Sequence, residues 1–264
     1  MPKLDSTRYT VAFAAAVSVA CATLVSVAAV ALRDRQEANA LLYKQKNVLL
    51  AASLVKPGEA LGRDELVALF ERRIAIRGVD LRSGELLAED KYDARGADAR
   101  KARADPKLSR AAPPNRAGVA RLPNQATVYL VKAPDGAIEQ VVLPVEGAGM
   151  WGAMYGFLAL DRDGNTVRGI TFYEHKETPG LGGEIANPKW QALWVGRKAY
   201  DAAWEPKLTI VKGTAGPPEK EPHRVDALSG ATITSNGVSQ VVRFWLSGDG
   251  YAPFLAKLRG GVKS

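Results

Sequence analysis

Hydroxyl-bearing residues and glycines are concentrated at the start of one helix predicted near the end of the chain. The stretch Asp226–Gly237 reads DALSGATITSNG, and the helix is predicted to begin near Thr234 or Ser235. A helix start presents unpaired N–H groups and the positive end of the helix dipole, so this stretch is suited to bind a phosphate. The apolar stripe that indicates the helix consists of Val238, Val241, Val242, Trp245 and Leu246.

The same hydroxyls have a second explanation, because Ser and Thr are among the residues that most often cap helices. In that interpretation Ser229, Thr232, Thr234 and Ser235 only satisfy first-turn amides and bind no ligand. The residues alone leave both interpretations open, and capping is the commoner role.

Two further glycine clusters occur earlier, at Glu146–Gly152 and at His175–Glu184, which reads HKETPGLGGE. Neither has the glycine spacing of a dinucleotide fingerprint in a strand-turn-helix context, and the chain contains no P-loop and no nucleophile elbow. We therefore assign no catalytic residue. With two histidines, His175 and His223, and the single Cys21, no metal-ligand cluster is predicted.

The N-terminal part contains an apolar run, Val11–Leu32, of 22 residues without a charge. At about 1.5 Å per residue, a helix of this length crosses the roughly 30 Å hydrocarbon core of a bilayer. Ala29–Ala31 also resembles a signal-peptide cleavage site, but the run exceeds the usual apolar region of about 7–15 residues. We predict a short tail at residues 1–10 and a retained transmembrane helix at 11–32. Lys and Arg flank both ends, so charge alone leaves the orientation open.

The remaining chain predicts a connector and a strand-rich domain. Residues 33–117 are expected to form a helical connector with a charged, partly disordered loop at 86–117. Residues 118–264 predict an antiparallel sheet with flanking helices, so the fold class is α+β. Strands are predicted at 75–79, 127–131, 138–145, 155–160, 167–173 and 208–211, and helices at 33–54, 64–72, 184–195, 237–246 and 252–258.

The composition is basic, with a formal net charge of +8 over 264 residues. Acidic residues are interleaved with the basic ones, and no nucleic-acid-binding motif occurs, so we expect no nucleic-acid partner. An anionic membrane surface or a solvated basic face explains the charge equally well.

The helix-start stretch resembles the flavinylation motif of the covalent FMN-binding domain family, Asp-x-x-Ser/Thr-Gly-Ala-Thr, at Asp226, Ser229, Gly230, Ala231 and Thr232. The likeness extends along the chain. The N-terminal span with LRDRQEANALLYKQKNVLL, and then GMWGAMYGFLAL, HKETPGLGGE and SNGVSQVVRFWLSGDGYAPFLAKLRGG, are similar in order to the C-subunit family of sodium-translocating NADH:quinone reductases.

This resemblance implies a role for each motif residue. Thr232 is expected to carry FMN through a phosphoester, while Ser229, Gly230 and Ala231 shape the turn. Asp226 is expected to be recognised by a flavin transferase. Thr234, two residues away, is a competing acceptor that falls outside the motif.

The second glycine cluster is expected to contact the isoalloxazine ring. Backbone at Gly180, Leu181 and Gly182 is suited to lie against the ring, and Glu177 and Thr178 to hydrogen-bond it; an ordinary turn explains the cluster as well. For Met150 and Trp151, packing in the core is favoured over contact with the ring.

The resemblance also implies a function, which is electron transfer within a six-subunit bacterial inner-membrane complex. That complex couples NADH oxidation and ubiquinone reduction to sodium export. The expected partners are the other subunits, especially the membrane subunit with the next FMN, together with a flavin transferase during maturation and membrane lipid. The soluble domain is expected on the periplasmic side.

Two alternatives remain open from the sequence. One is the G subunit of the Rnf ferredoxin:NAD oxidoreductase complex, which shares the motif and an anchor. The other is a membrane-anchored, non-redox protein that binds a phosphate ligand without a covalent bond.

Overall fold

A computed structural model of the chain describes residues 7–260, so the first part of the expected tail at 1–10 lies outside the described residues. The chain divides into two compact units, one up to Tyr43 and one from Lys44 onward. The helices are α1 (Thr7–Ala51), α2 (Arg63–Arg73), α3 (Ala99–Ala104), α4 (Pro188–Ala192), α5 (Thr232–Trp245) and α6 (Ala252–Arg259), with a 3-10 helix at Gly182–Ala186. The strands are β1 (Ile74–Asp80), β2 (Ser109–Ala111), β3 (Arg121–Pro123), β4 (Gln125–Lys132), β5 (Ile138–Ala148), β6 (Ala153–Asp161), β7 (Val167–Glu174), β8 (Thr209–Val211) and β9 (Arg224–Asp226).

The first unit is the N-terminal part of α1, a helix of 45 residues that includes the predicted span at 11–32 and most of the continuation predicted at 33–54. It is the one helix among residues 7–260 that is long and apolar enough to cross a membrane. Its apolar side chains are exposed, with Leu24 at 72% and Val30 at 75%. Such continuous apolar exposure is unusual for a surface that faces water.

The second unit is built on a five-stranded antiparallel sheet in the order β1-β4-β5-β6-β7. Side chains alternate between its two faces, as the period of two in each strand requires. One face packs against α5, where a Cβ on Gly147 would meet the Cγ2 methyl of Val241. On the other face, the rings of Phe70, Tyr129 and Phe157 follow one another with centroids 6.3 and 5.6 Å apart. The predicted α+β class is confirmed.

The sheet extends further back along the chain than the domain predicted at 118–264. β1 is an edge strand paired with β4, in register from Ile74 opposite Val131. The end of α1 also belongs to this unit, since Val48 and Leu49 are fully buried and the Thr171 hydroxyl donates to the Asn47 carbonyl. The compact domain therefore begins at Lys44, and much of the expected connector is part of it.

Within the charged segment 86–117, regular structure is limited to helix α3 and strand β2, and turns and bends make up most of the rest. Asp98 caps α3 by accepting from the amides of Arg100 and Lys101 at 2.9 and 3.2 Å. β2 pairs with β3, and Arg95 makes two hydrogen bonds with Glu71. These capping and ion-pair contacts occur although the segment has few large apolar side chains.

Two other regions differ from the prediction. The expected helix at 184–195 is two short helices, because α4 begins at Pro188 and the residue before a proline is disfavoured in the helical region. β9, for which the sequence gives no strand signal, pairs in parallel with β8 and leads directly into the hydroxyl-rich stretch.

Candidate functional site

Thr232 is the first residue of α5, and its side chain is exposed. The helix begins two residues before the earlier of the two predicted starts. First-turn amides such as those of Thr232, Ile233 and Thr234 have no acceptor within the helix. The first α5 hydrogen bond runs from the Ser235 amide to the Ala231 carbonyl, at 2.9 Å. Three amides and one exposed hydroxyl thus stand together at the helix start.

Side-chain capping does not explain the hydroxyls of this stretch. The N-cap of α5 is Ala231, which makes no side-chain cap hydrogen bond. The buried Ser235 hydroxyl accepts from the Leu228 amide at 3.1 Å, the buried Thr234 hydroxyl donates to Glu177, and Ser229 is exposed. The capping interpretation is therefore wrong for this helix.

The turn before α5 requires glycine at one position. Gly230 has φ +71°, in the left-handed region that side chains disfavour. A Cβ there would also lie 3.0 Å from Leu181 Cδ2, so Leu181 lies directly beside the turn. The second glycine cluster and the flavinylation-like motif are thus in contact.

Asp226 has a structural role in addition to its place in the motif. Its Oδ1 accepts from the Ala215 amide at 2.8 Å, and its carbonyl accepts from Trp190 Nε1 at 2.9 Å. The carboxylate therefore holds the loop between β8 and β9 against the segment that leads to Thr232.

Glu177 connects all three glycine clusters. It is buried, with 4% of its surface exposed. Oε1 accepts from the Trp151 amide at 2.9 Å, and Oε2 accepts from the Thr234 hydroxyl. Gly182 lies against the same pair, since a Cβ there would be 2.5 Å from Thr234 Oγ1 and 2.7 Å from Glu177 Oε2.

The other residues predicted in this cluster form a tight turn. Thr178 and Gly180 are both exposed, and the Thr178 carbonyl accepts from the amides of Leu181 and Gly183 at 3.1 and 2.9 Å. Gly180 has φ +74°. His175 contributes only a long contact, in which its Nδ1 accepts from the Glu177 amide at 3.3 Å.

Large apolar side chains are exposed on the segments that Glu177 joins. Trp151 and Met150 are 61% and 50% exposed, so the prediction that they pack in the core is wrong. Leu181 and Ile233 are 45% and 58% exposed, and sequence reasoning misses Ile233 because it is a single apolar residue in a polar stretch. These side chains provide apolar surface for a flat aromatic ligand.

The guanidinium of Arg100 lies over the end of the sheet where β6 begins and β7 ends. Arg100 stacks over the ring of Tyr155, with 3.9 Å from Cζ to the ring centroid, and pairs with Glu174. This ion pair raises the pKa of Arg100, and burial raises the pKa of Tyr173 to about 12.

Among residues 7–260, no group of three or more His, Cys, Asp or Glu side chains is arranged to hold a metal.

Residues 149–247 match the family model described as the FMN-binding domain. The match includes β6, β7, the Glu177 segment and α5. An exposed hydroxyl with three unpaired amides fits the phosphate of FMN, and the exposed apolar side chains fit its ring. The fold and the site thus define an FMN-binding protein, with FMN as its cofactor.

Similar proteins show to which family of FMN-binding proteins the chain belongs. The C subunit of the Na(+)-translocating NADH-quinone reductase of Pseudomonas aeruginosa is 46% identical over 264 residues, which cover 99% of both chains. The corresponding protein of Yersinia pestis is 44% identical over 98% of this chain and 95% of its own. The crystal structure of Shewanella oneidensis NqrC aligns with a TM-score of 0.75 at 32% identity, over 82% of this chain and 96% of that one. The chain belongs to the NqrC family, the C subunits of Na(+)-translocating NADH-quinone reductases.

Proposed function

We propose that this chain is an electron-carrying subunit of a bacterial sodium pump, with FMN esterified through its phosphate to Thr232. The observation that carries the proposal is the contrast between two neighbouring threonines. Thr232 is exposed at the helix start, whereas Thr234 is 1% exposed and hydrogen-bonded to Glu177. Only Thr232 therefore combines the motif position with an accessible hydroxyl.

The roles of the surrounding residues follow from their positions. The first-turn amides of α5 would bind the phosphate, favoured by the helix dipole. Ser229, Gly230 and Ala231 would keep the approach to Thr232 open, and Asp226 would maintain the turn that a flavin transferase has to recognise. Thr178, Gly180, Leu181 and Gly182 would border the ring. We assign no metal site and no catalytic residue to this chain.

The proposed work is electron relay. Bound FMN supplies one-electron transfer, and the protein contributes its binding and electrostatic environment. In the proposed complex, electrons from NADH would pass through this subunit to the membrane subunit with the next FMN and ultimately to ubiquinone, and this transfer would drive sodium export. Likeness to NqrC relatives over nearly the whole chain favours this function over the G subunit of the Rnf complex and over non-covalent phosphate binding.

Mass spectrometry of one tryptic peptide tests the covalent bond. The chain is expressed with a flavin transferase and digested, which releases Val225–Arg243 because this segment follows Arg224 and ends at Arg243. We expect the peptide to carry the mass of an esterified FMN, with fragment ions that place it on Thr232. An unmodified peptide from transferase-containing cells would contradict the proposal, and a modification on Thr234 would move the site.

Thiol labelling tests the proposed orientation, with α1 spanning the inner membrane and the domain in the periplasm. Lys220 is exposed in the loop between β8 and β9, and Cys21 is the only native cysteine. In a Cys21→Ala background, Lys220→Cys is expected to react with a membrane-impermeant maleimide in intact spheroplasts. Labelling that requires lysis would place the domain in the cytoplasm instead.

A further inference from the structure

The Glu177 carboxylate is the point at which three separate segments meet. It lies between β7 and the 3-10 helix, and it accepts from the loop between β5 and β6 at Trp151 and from α5 at Thr234. Burial of a carboxylate is costly unless hydrogen bonds compensate, and such charge-assisted bonds are among the stronger ones. The two bonds therefore favour one arrangement of the three segments.

The surrounding backbone is shaped to admit this carboxylate. A Cβ on Gly149 would lie 2.5 Å from Glu177 Oε1, and a Cβ on Gly182 would lie 2.7 Å from Oε2. A side chain at either position would have to displace Glu177. The two glycines thus allow the carboxylate to reach both of its donors.

The hydrogen bond to Thr234 also sets the rotation of α5. Residues two apart on a helix point about 200° apart, so a Thr234 side chain directed at Glu177 turns Thr232 away from it. This geometry agrees with a buried Thr234 and an exposed Thr232.

We propose that Glu177 is a positioning residue for the flavin site. It engages the Thr234 hydroxyl, turns Thr232 outward, and fixes the Trp151 loop beside the start of α5. This inference rests on the proposed function, and it replaces the expected direct hydrogen bond from Glu177 to the ring with an indirect role. As a consequence, Glu177 affects how exposed the flavin is to solvent without itself contacting the FMN.

The test compares variants of the full chain, loaded by a co-expressed flavin transferase and purified in detergent. Thr234→Val removes one donor at nearly constant shape, and Glu177→Ala removes the carboxylate. In both, we expect iodide to quench the flavin fluorescence severalfold more efficiently than in the wild type. Losing a hydrogen bond to a buried charge shifts the balance towards the displaced arrangement by roughly tenfold or more. Glu177→Gln should fall in between, because its amide oxygen still accepts one bond.

Ser239→Ala is the matched control, since Ser239 is another buried hydroxyl on α5 that accepts from the Ile210 amide at 2.8 Å. It should lower the melting temperature and leave quenching unchanged. Wild-type quenching in both Thr234→Val and Glu177→Ala, or equal increases in Ser239→Ala, would overturn the assignment. If the Glu177→Ala protein does not accumulate, the iodide quenching of Thr234→Val alone tests the assignment. A wild-type chain without covalent FMN would instead overturn the proposed function, because no variant would then give a flavin signal.

Discussion

Replacement of Thr232 by alanine is expected to abolish covalent FMN attachment while the protein stays folded. The change removes the only hydroxyl of the motif that is both exposed and at its final position. Because the side chain lies on the surface, the free energy of unfolding should change by no more than about 0.5 kcal/mol. The measurement is flavin fluorescence of the band on a denaturing gel, read together with a thermal melt of the same sample.

Thr234→Val serves as the control for this prediction. It lies two residues away, and it should keep the fluorescent band because Thr234 is buried against Glu177. A band of wild-type intensity in Thr232→Ala would show that FMN is attached elsewhere. Loss of the band in both variants, with normal melting, would show that attachment requires Thr234 as well, either as a hydroxyl that the transferase recognises or through the Glu177 contact that turns Thr232 outward.

Local patterns predict most of the elements but not how they pair. The strand-like alternation at 127–131, 138–145, 155–160 and 167–173 corresponds to β4, β5, β6 and β7, each within a few residues. The sequence also predicts β1 as a strand, but its pairing with β4 connects segments about 50 residues apart, and no local signal encodes that. The sheet therefore includes one strand that precedes the domain predicted at 118–264.

The start of α5 illustrates a limit of capping rules. Four hydroxyls near the helix start suggest a side-chain cap and a start at Thr234 or Ser235. Here Ala231 occupies the N-cap, and the hydroxyls of Thr234 and Ser235 bond to distant or preceding segments instead. Capping preferences describe the average behaviour of Ser and Thr. At the start of α5, tertiary hydrogen bonds to Thr234 and Ser235 override these preferences.

The Glu177 contacts are beyond the reach of sequence reasoning for a related reason. Glu177 and Thr234 are separated by 57 positions, and a single glutamate in a glycine-rich turn resembles many solvated loops. For Trp151 and Met150, residue type favours the core. Large apolar residues also occur on surfaces, where they mark binding sites, so residue type alone does not settle their exposure.

A large loss of stability is expected at Trp245, near the end of α5. This side chain is 3% exposed, its Nε1 donates to the Glu146 carbonyl at 2.7 Å, and its ring centroid lies 5.3 Å from that of Tyr251. Trp245→Ala should lower the free energy of unfolding by about 3–5 kcal/mol, as expected for truncation of a buried aromatic residue. Chemical unfolding of the full chain in detergent, followed by near-ultraviolet circular dichroism, measures this loss.

Trp245→Phe separates packing from hydrogen bonding at the same position. It keeps most of the buried ring and leaves the Glu146 carbonyl without its donor, so we expect a loss of about 1–3 kcal/mol. Because Trp245 anchors the far end of α5, the folded fraction of either variant should keep wild-type iodide quenching of its flavin. Increased quenching in Trp245→Phe would mean that the position of the whole helix, rather than the Glu177 contact at its start, determines how Thr232 is presented.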